Sequence, residues 1–241
     1  MVPRLAVGLL LLITLPGCLT YEYEHEFWLR VDGSGAVNVT GRPALWTAFK
    51  ALGDPGDPDG TATREAAREL FERSGLRVKR VTLTRRGGQP YLFVSAEFSD
   101  VSRLSYTPAF PDLRVALQGD DGRLRLEGGW QRPLDAPDIG VDSARNREGL
   151  MAIRFHLPSK VYGHRNAADG VERGNILGWR QDVGTALDGG RIDFGAVMDD
   201  RSILFSTVVL FAGAVILAAV LLALALWAVA RRGRRDLEDR P

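Results

Sequence analysis

The sequence predicts an α+β domain with a single antiparallel, curved sheet, followed by one transmembrane helix. Three observations lead to this prediction. Two segments in the first third of the chain place apolar residues at helical spacing, and most later segments before residue 201 alternate with the period of a strand. Near the carboxyl end, the stretch Ser202–Ala230 contains no charged residue. Helices grouped ahead of most of the strands favour an α+β fold.

The apolar stretch Ser202–Ala230 is long enough to cross a membrane. At 1.5 Å per residue it would form a helix of about 43 Å, more than the roughly 30 Å of a bilayer's hydrocarbon core. Four arginines between residues 231 and 235 follow it, as is typical of the cytoplasmic end of a spanning helix. The sequence therefore predicts a transmembrane helix over 202–230 and a basic cytoplasmic tail over 231–241.

The amino-terminal end has the features of a signal peptide. Arg4 precedes an apolar run over residues 5–15, which is short for a membrane span. The run ends in Leu-Pro-Gly-Cys, which resembles the bacterial lipobox, where the cysteine is lipidated. Cys18 is the only cysteine in the sequence, so an intrachain disulfide cannot account for it. We predict a signal peptide with a lipobox over residues 1–17 and lipidation at Cys18; ordinary signal cleavage and an uncleaved anchor are the alternatives.

Charge and topology place the middle of the chain outside the cell. The formal net charge of the 241 residues is +1. Arg4 contributes one positive charge and the tail after Ala230 contributes two, so the segment between them carries about −2. Cationic ends tend to stay in the cytoplasm, which predicts an extracytoplasmic domain over residues 18–201. A domain of this charge has no electrostatic footprint for nucleic acid, and we expect no binding to DNA or RNA.

The strands and helices of the exported domain follow from their apolar periods. Residues 20–31 alternate and return over 36–40 across an Asp-Gly-Ser-Gly turn, which predicts a hairpin. Helical spacing predicts helices over 43–52 and from Thr61 or Thr63 to Ser74. Residues 131–149 form a polar connection, and residues 184–200 carry weak signals. Further strands are predicted over 76–85, 90–98, 113–118, 124–130, 150–157 and 174–181.

The three histidines indicate no reactive site. His25 lies on the apolar face of the first strand and is predicted to be a packed or hydrogen-bonded core residue. His156 shares the polar face of its strand with Arg154, and His164 is predicted to lie in a loop. No pair of histidines has the spacing of a metal site.

Motifs of known chemistry are also lacking. The loop with Asp54, Asp57 and Asp59 lacks the spaced ligands and the closing glutamate of a calcium site, so we predict a solvated turn. No nucleophile elbow or phosphate-binding glycine loop occurs. We therefore predict no catalytic residue, no metal, no cofactor and no enzyme activity, and the ligand-binding residues are unknown at this stage.

Two groups of residues have both a structural and a membrane-related interpretation. Five cations lie within residues 77–86, where they suit a solvated strand face or a face against anionic lipid headgroups. Trp46 and Phe49 on the first helix suit the domain core or insertion into the membrane.

Part of the sequence resembles a known family. Ile-Arg-Phe-His-Leu-Pro over 153–158, Asn166-Ala167, Gly174, Trp179 and then the spanning helix resemble the ending of LppM-type bacterial lipoproteins. The front end is similar too, with a lipobox, an immediate strand and an Asp-Gly-Ser-Gly turn. The resemblance implies an extracytoplasmic α+β domain, similar to helix-grip lipid-binding folds, and binding of envelope glycolipids. It transfers no ligand residue.

Two functions follow as hypotheses. In the first, the exported domain binds lipid or another hydrophobic ligand at the outer face of the cytoplasmic membrane. In the alternative, it is a non-catalytic protein-interaction module that docks an envelope partner by strand addition. The first predicts an apolar cavity of about 300 Å³ or more. The second predicts a filled core with an exposed apolar patch or an open sheet edge.

Overall fold

The structure, a computed structural model, describes residues 21–52, 60–134, 136, 147–172, 174–201 and 203–238. Within these residues the chain forms ten strands and five helices, which confirms the α+β class. The strands are β1 (Tyr23–Leu29), β2 (Gly35–Gly41), β3 (Arg77–Arg86), β4 (Gln89–Phe98), β5 (Leu113–Asp120), β6 (Arg123–Trp130), β7 (Leu150–His156), β8 (Val161–Arg165), β9 (Ile176–Asp182) and β10 (Ile192–Asp199). The helices are α1 (Pro43–Lys50), α2 (Thr61–Arg73), α3 (Val101–Leu104), α4 (Val183–Leu187) and α5 (Ile203–Glu238).

The strands form two sheets, so the prediction of a single antiparallel sheet is wrong. The larger sheet has six strands in the order β3-β4-β2-β1-β7-β9, and its β1–β7 pair is parallel. The smaller sheet has four antiparallel strands in the order β5-β6-β10-β8. Two of these four, β8 and β10, are absent from the sequence prediction. Because β8 and β10 are not predicted, the sequence analysis assigns the β5–β6 hairpin to the same sheet as the other strands.

The core lies between the inner faces of the two sheets and the two long helices of the domain. Along β1, the residues from Tyr23 to Leu29 alternate between buried and half-buried, the two-residue period of a strand with one face inward. Helix α2 packs on β3 and β4, and the four-stranded sheet covers the other half of the inner face. Ring contacts join the two sheets directly, for example between Phe155 and Phe194 at 5.5 Å.

Helix α1 supplies aromatic residues to this core. Proline occupies its first turn, where a missing backbone donor costs nothing, and Ala51 ends it in the left-handed conformation. Trp46 and Phe49 are completely buried, which confirms their assignment to the core rather than to the membrane. The Phe49 ring packs edge-on against Trp130 of the four-stranded sheet, with ring centroids 4.9 Å apart.

Helix α5 contains the apolar stretch and is much longer than any helix of the domain. Within it, Thr207–Trp227 is long and apolar enough to cross a membrane, and none of that stretch is covered by the rest of the protein. This agrees with the span predicted over 202–230. A helix with apolar side chains exposed on all sides fits a membrane location.

The domain enters α5 at one end of its strands. Tyr23 begins β1 beside Met151, near the start of β7. Ser159, which follows the end of β7, donates a hydrogen bond to the backbone carbonyl of Asp199, the last residue of β10. Because β1 and β7 are parallel, Tyr23 and Asp199 lie at opposite ends of the strands. The length of β1, at about 3.3 Å per residue, separates these ends by roughly 20 Å.

Candidate functional site

The residues singled out in the sequence do not form one site. Cys18 and the aspartates of the loop over 54–59 lie outside the described residues. His25 is fully buried on β1, and His156 lies on the polar face of β7; both placements confirm the predictions. His164 belongs to β8, so its assignment to a loop is wrong. Among the described residues, no group of three or more His, Cys, Asp or Glu side chains could hold a metal ion.

A buried ion pair joins α1 to the four-stranded sheet. The Lys50 ammonium lies 3.2 Å from one carboxylate oxygen of Asp112 and donates to the Ala109 carbonyl at 2.6 Å. The other Asp112 oxygen accepts a hydrogen bond of 2.9 Å from the Trp130 indole. Both charged side chains have no exposed surface. The pair therefore links the helix layer to the start of β5 and the end of β6.

Two residues of β1 lie against this ion pair. The imidazole Nε2 of His25 is 3.7 Å from an Asp112 oxygen and 3.2 Å from the Tyr23 hydroxyl. Burial holds the pKa of His25 well below its ordinary value, and the charge of Lys50 lowers this pKa further. Burial also raises the pKa of Asp112 and lowers that of Lys50. The side chains of His25, Lys50 and Asp112 have no exposed surface.

The polar outer face of the six-stranded sheet is crossed by ion pairs. Arg154 on β7 lies 3.3 Å from Glu24 and 3.4 Å from Glu26 on β1. Burial raises the pKa of Glu24, and the neighbouring charge of Glu26 adds to the increase. The His156 ring stacks on Trp28 with ring centroids 4.6 Å apart, and its Nε2 lies 2.7 Å from Glu26. A single arginine is thus shared by two carboxylates of the neighbouring strand.

Most of the cations of β3 are engaged by the neighbouring strand. Arg77 and Lys79 both pair with Glu97 on β4. Arg80 lies over the Phe93 ring at 5.7 Å, and Arg86 lies over Tyr91 at 4.9 Å. This arrangement supports the interpretation of the cations as a solvated strand face rather than as a lipid-binding face.

The outer face of the four-stranded sheet carries a series of four adjoining clefts, which we call the sheet groove. The first cleft is lined by Asp112 and Trp130 among others, and the fourth by Tyr162. In order along the sheet, the volumes of the four clefts are about 560, 350, 310 and 520 Å³. Neighbouring clefts share lining residues, so the series is continuous. The first and second share Ser105, Arg114, Gly129 and Arg191, the second and third share Glu127 and Arg165, and the third and fourth share Arg125, Gly163 and Val197.

Glycines make the floor of the sheet groove. Gly129, Gly163 and Gly195 come from β6, β8 and β10 and line the clefts. A Cβ atom built at Gly163 would meet nothing within 4 Å, and one at Gly195 would be in ordinary contact with Arg165. No side chain rises from the sheet at these three positions, although the backbone of Gly129 and Gly195 is itself buried by neighbouring residues.

Arginines form the walls of the second cleft. Arg114 donates from Nη1 to the carbonyl oxygens of Leu113, Ser105 and Pro111, the nearest at 2.9 Å. Arg165 donates from Nη2 to the Phe194 carbonyl at 3.2 Å. Within the described part of the chain, neither guanidinium has a carboxylate within 4 Å. Within these residues the positive charge of each arginine is therefore not balanced by an ion pair. Several N–H donors of each also remain unused, since a guanidinium has five.

The interior between the sheets is filled by side chains. Phe194 packs against Phe155 and Trp179 at 5.5 Å, and Phe27 stacks on Phe155 at 4.6 Å. The clefts of the sheet groove, by contrast, are open to solvent and are lined by polar as well as apolar atoms. In the described residues, the apolar space that a lipid-enclosing domain requires is occupied by aromatic rings.

Half of the sheet groove belongs to strands that sequence reasoning missed. In the segment Ile192–Asp199, every second residue (Ile, Phe, Ala and Met) is apolar and points inward, and this pattern could have identified β10. The signal in β8 is weaker because Gly163 and His164 interrupt its short apolar pattern. Nothing in the sequence indicates that Arg114 and Arg165 line one cleft.

Comparisons with known proteins give one weak similarity. No protein-family model matches the sequence, and no curated protein matches it. The chain is similar to the solution NMR structure of the folded domain of LppM from Mycobacterium tuberculosis, with 13% sequence identity and a TM-score of 0.39. The match covers 75% of this chain and 91% of that domain. A similarity of this level does not assign the chain to a family.

Proposed function

We propose that this chain is a non-catalytic, membrane-anchored envelope protein whose exported domain binds the anionic headgroups of lipids. On this proposal the domain lies at the outer face of the cytoplasmic membrane, and α5 anchors it there. The observation that supports the ligand class is the sheet groove, with a glycine floor and with arginines that have no carboxylate partner within the described residues.

The chemistry of the second cleft suits a phosphate group. A guanidinium presents a rigid, planar set of donors that matches the oxygens of a phosphate or carboxylate. Arg114 and Arg165 are oriented by backbone carbonyls, so little side-chain entropy remains to be lost when an anion binds. Arg191 lines the same cleft, but its guanidinium Nε lies 2.6 Å from Asp193. The first two arginines therefore supply most of the expected affinity.

One end of the sheet groove lies close to the start of α5. Its fourth cleft lies at the end of the sheet where β10 leads into α5, and Asp200 donates a backbone hydrogen bond to Gly122 there. Ile203 is four positions after Asp199, which limits the distance between them to about 14 Å. A headgroup can therefore reach the fourth cleft without extraction of its acyl chains. Arg165 and Arg114 lie about 13 and 20 Å further along the sheet, so a headgroup bound in the second cleft is lifted partly out of the bilayer. The filled interior supports binding of the headgroup rather than enclosure of the chains.

A protein-interaction module is the second candidate, and the filled interior favours it. The edge strand β3 is open to solvent and is ten residues long. However, it carries the cations at positions 77–86, and its pairing with β4 shifts between Val78 and Arg80. Charged side chains and bulges of this kind protect an edge against strand addition. The sheet groove is therefore the better-supported site.

Native mass spectrometry of the full-length protein in detergent tests the lipid proposal. Phosphatidylglycerol and phosphatidylcholine are added in equal amounts, and the bound fraction of each is measured. We expect phosphatidylglycerol to be retained preferentially. The variant Arg114→Gln with Arg165→Gln should weaken this retention by about tenfold or more for each arginine, since a charge-assisted hydrogen bond contributes roughly 1.5–3 kcal/mol.

Matched variants make this test specific. Arg77→Gln with Lys79→Gln removes the same charge from β3 and should leave retention unchanged. Gly163→Leu fills the groove without changing any charge and should weaken binding. If the wild-type protein retains neither lipid, the lipid proposal is wrong and the interaction module is favoured. Equal losses in the groove and β3 variants would show that net charge, not the groove, determines binding.

A further inference from the structure

An exposed aromatic residue lies between two cations at the end of the domain from which α5 departs. Tyr162 on β8 is 48% exposed. The guanidinium carbon of Arg123 lies 4.8 Å from the centre of its ring, and Lys160 Nζ lies 5.3 Å from it. We call these three residues the Tyr162 cluster.

Hydrogen bonds tie the Tyr162 cluster to the residue that ends β10. The backbone N–H of Asp199 donates to the Lys160 carbonyl at 3.0 Å. The Tyr162 hydroxyl donates to a carboxylate oxygen of Asp199 at 2.9 Å, and the second oxygen accepts from the Arg201 backbone N–H. The Asp199 carboxylate thus accepts hydrogen bonds from both β8 and the segment that leads into α5. These hydrogen bonds lower the pKa of Asp199.

These observations place the Tyr162 cluster close to the membrane surface. Tyrosine is enriched at membrane interfaces because its ring is apolar and its hydroxyl is polar, and adjacent lysine and arginine side chains reach lipid phosphates. We propose that Arg123, Lys160 and Tyr162 contact the anionic headgroup layer and orient the domain on the bilayer. Asp120 and Asp121 line the same end of the sheet, and their negative charges oppose those of Arg123 and Lys160. The proposed contact with the bilayer therefore includes insertion of the Tyr162 ring as well as attraction of the two cations to the headgroups.

Membrane contact by the Tyr162 cluster does not depend on ligand binding in the sheet groove. The Tyr162 cluster acts as an orienting contact with the bilayer surface, whether or not a lipid occupies the sheet groove. Arg114 and Arg165, which carry the ligand proposal, lie in the second cleft and contact none of the three residues. The two proposals can therefore fail separately.

Photo-crosslinking to lipid tests the contact in the full-length chain. The photoreactive residue p-benzoylphenylalanine replaces Tyr162 in one variant. In a control it replaces Thr84, which is exposed on β3, outside the sheet groove, and pairs with Tyr91 at the end of the strands far from α5. Both are reconstituted in nanodiscs that contain equal amounts of phosphatidylglycerol and phosphatidylcholine, and near-ultraviolet circular dichroism confirms the native fold. We expect lipid adducts at position 162 to exceed those at position 84 by about fivefold or more. Equal yields at the two positions would overturn the proposal.

A second measurement tests the role of the cations. In the position-162 crosslinking variant, Arg123→Gln and Lys160→Gln should each lower the ratio of phosphatidylglycerol to phosphatidylcholine adducts by about fivefold. Arg77→Gln with Lys79→Gln should leave that ratio unchanged. A ratio insensitive to Arg123 and Lys160 would show that these cations do not face the lipid phosphates. Arg114→Gln with Arg165→Gln should leave crosslinking at position 162 intact, which separates this contact from ligand binding.

Discussion

Neutralising the buried carboxylate of Asp112 should destabilise the two-sheet domain by about 3–5 kcal/mol. In Asp112→Asn the side chain keeps nearly the same volume, and its amide oxygen can still accept the hydrogen bond from Trp130. What changes is the environment of Lys50, whose ammonium lies 3.2 and 3.4 Å from the two carboxylate oxygens. The variant leaves that ammonium buried without a counter-charge.

The size of the effect follows from the burial of the pair. Lys50 has no exposed side-chain surface, and without the carboxylate it keeps the Ala109 carbonyl at 2.6 Å and the Phe110 ring at 4.4 Å. Neither group carries a full charge, so they cannot replace the ion pair. A loss of 3–5 kcal/mol is a fifth or more of the total stability of a typical domain, which is about 5–15 kcal/mol.

The penalty should depend on pH in a defined direction. Burial already lowers the pKa of Lys50, and loss of the carboxylate lowers it further. A lowered pKa in the folded state means that stability is lost as the pH falls below the ordinary value of about 10.5. The penalty of Asp112→Asn should therefore be smaller at pH 9 than at pH 7, with a limiting slope of about 1.4 kcal/mol per pH unit.

Urea unfolding of the full-length protein in nanodiscs, followed by tryptophan fluorescence, measures these effects. Lys50→Met with Asp112→Asn removes both charges and should be more stable than Asp112→Asn alone, with a coupling energy of about 2 kcal/mol or more. Glu69→Gln, which breaks an exposed pair with Arg73, serves as the control and should change stability by less than about 0.5 kcal/mol. A cost below about 1 kcal/mol for Asp112→Asn, or additive effects of the two substitutions, would refute the reasoning.

Two further predictions concern His25 and the glycines of the small sheet. Because the pKa of His25 is held well below its ordinary value, the unfolded chain takes up a proton below about pH 6.5 that the folded domain does not. Stability should fall there by up to about 1.4 kcal/mol per pH unit; His25→Gln should remove this slope in urea titrations, and His164→Gln should keep it. Gly128→Ala would place a methyl group 2.2 Å from the Arg114 carbonyl oxygen and should cost about 1–3 kcal/mol. Gly163→Ala meets nothing within 4 Å and should change the midpoint of thermal unfolding by no more than a few degrees; equal effects of the two substitutions would contradict the packing.

The local periods of the sequence predict most of the first two-thirds of the fold. The alternation around Phe27 identifies β1, and the helical spacing around Phe49 identifies α1, because each pattern comes from one buried face. Burial of His25 could be predicted for the same reason. These are properties of single elements, which neighbouring residues determine.

The partners of each strand could not be predicted from those periods. β1 pairs in parallel with β7, more than 120 residues away, and the alternation of Phe155 is the same whichever strand lies beside it. The division into two sheets depends on pairings of this kind. For the same reason the sheet groove was not predicted: Arg114 on β5 and Arg165 on β8 line one cleft only because β8 joins β10 and β10 joins β6.

The placement of the two ends of the domain constrains how it could carry a second anchor. If Cys18 is lipidated as predicted, its acyl chains must reach the same bilayer that α5 enters. Glu22 is hydrogen-bonded to Leu150 at the end of the strands far from α5, and four residues extend over at most about 14 Å. That is less than the roughly 20 Å between the ends, so an upright domain would hold the lipid clear of the bilayer. A doubly anchored protein would have to lean by about 45° or more from the membrane normal, bringing one flank of the sandwich down onto the lipid surface.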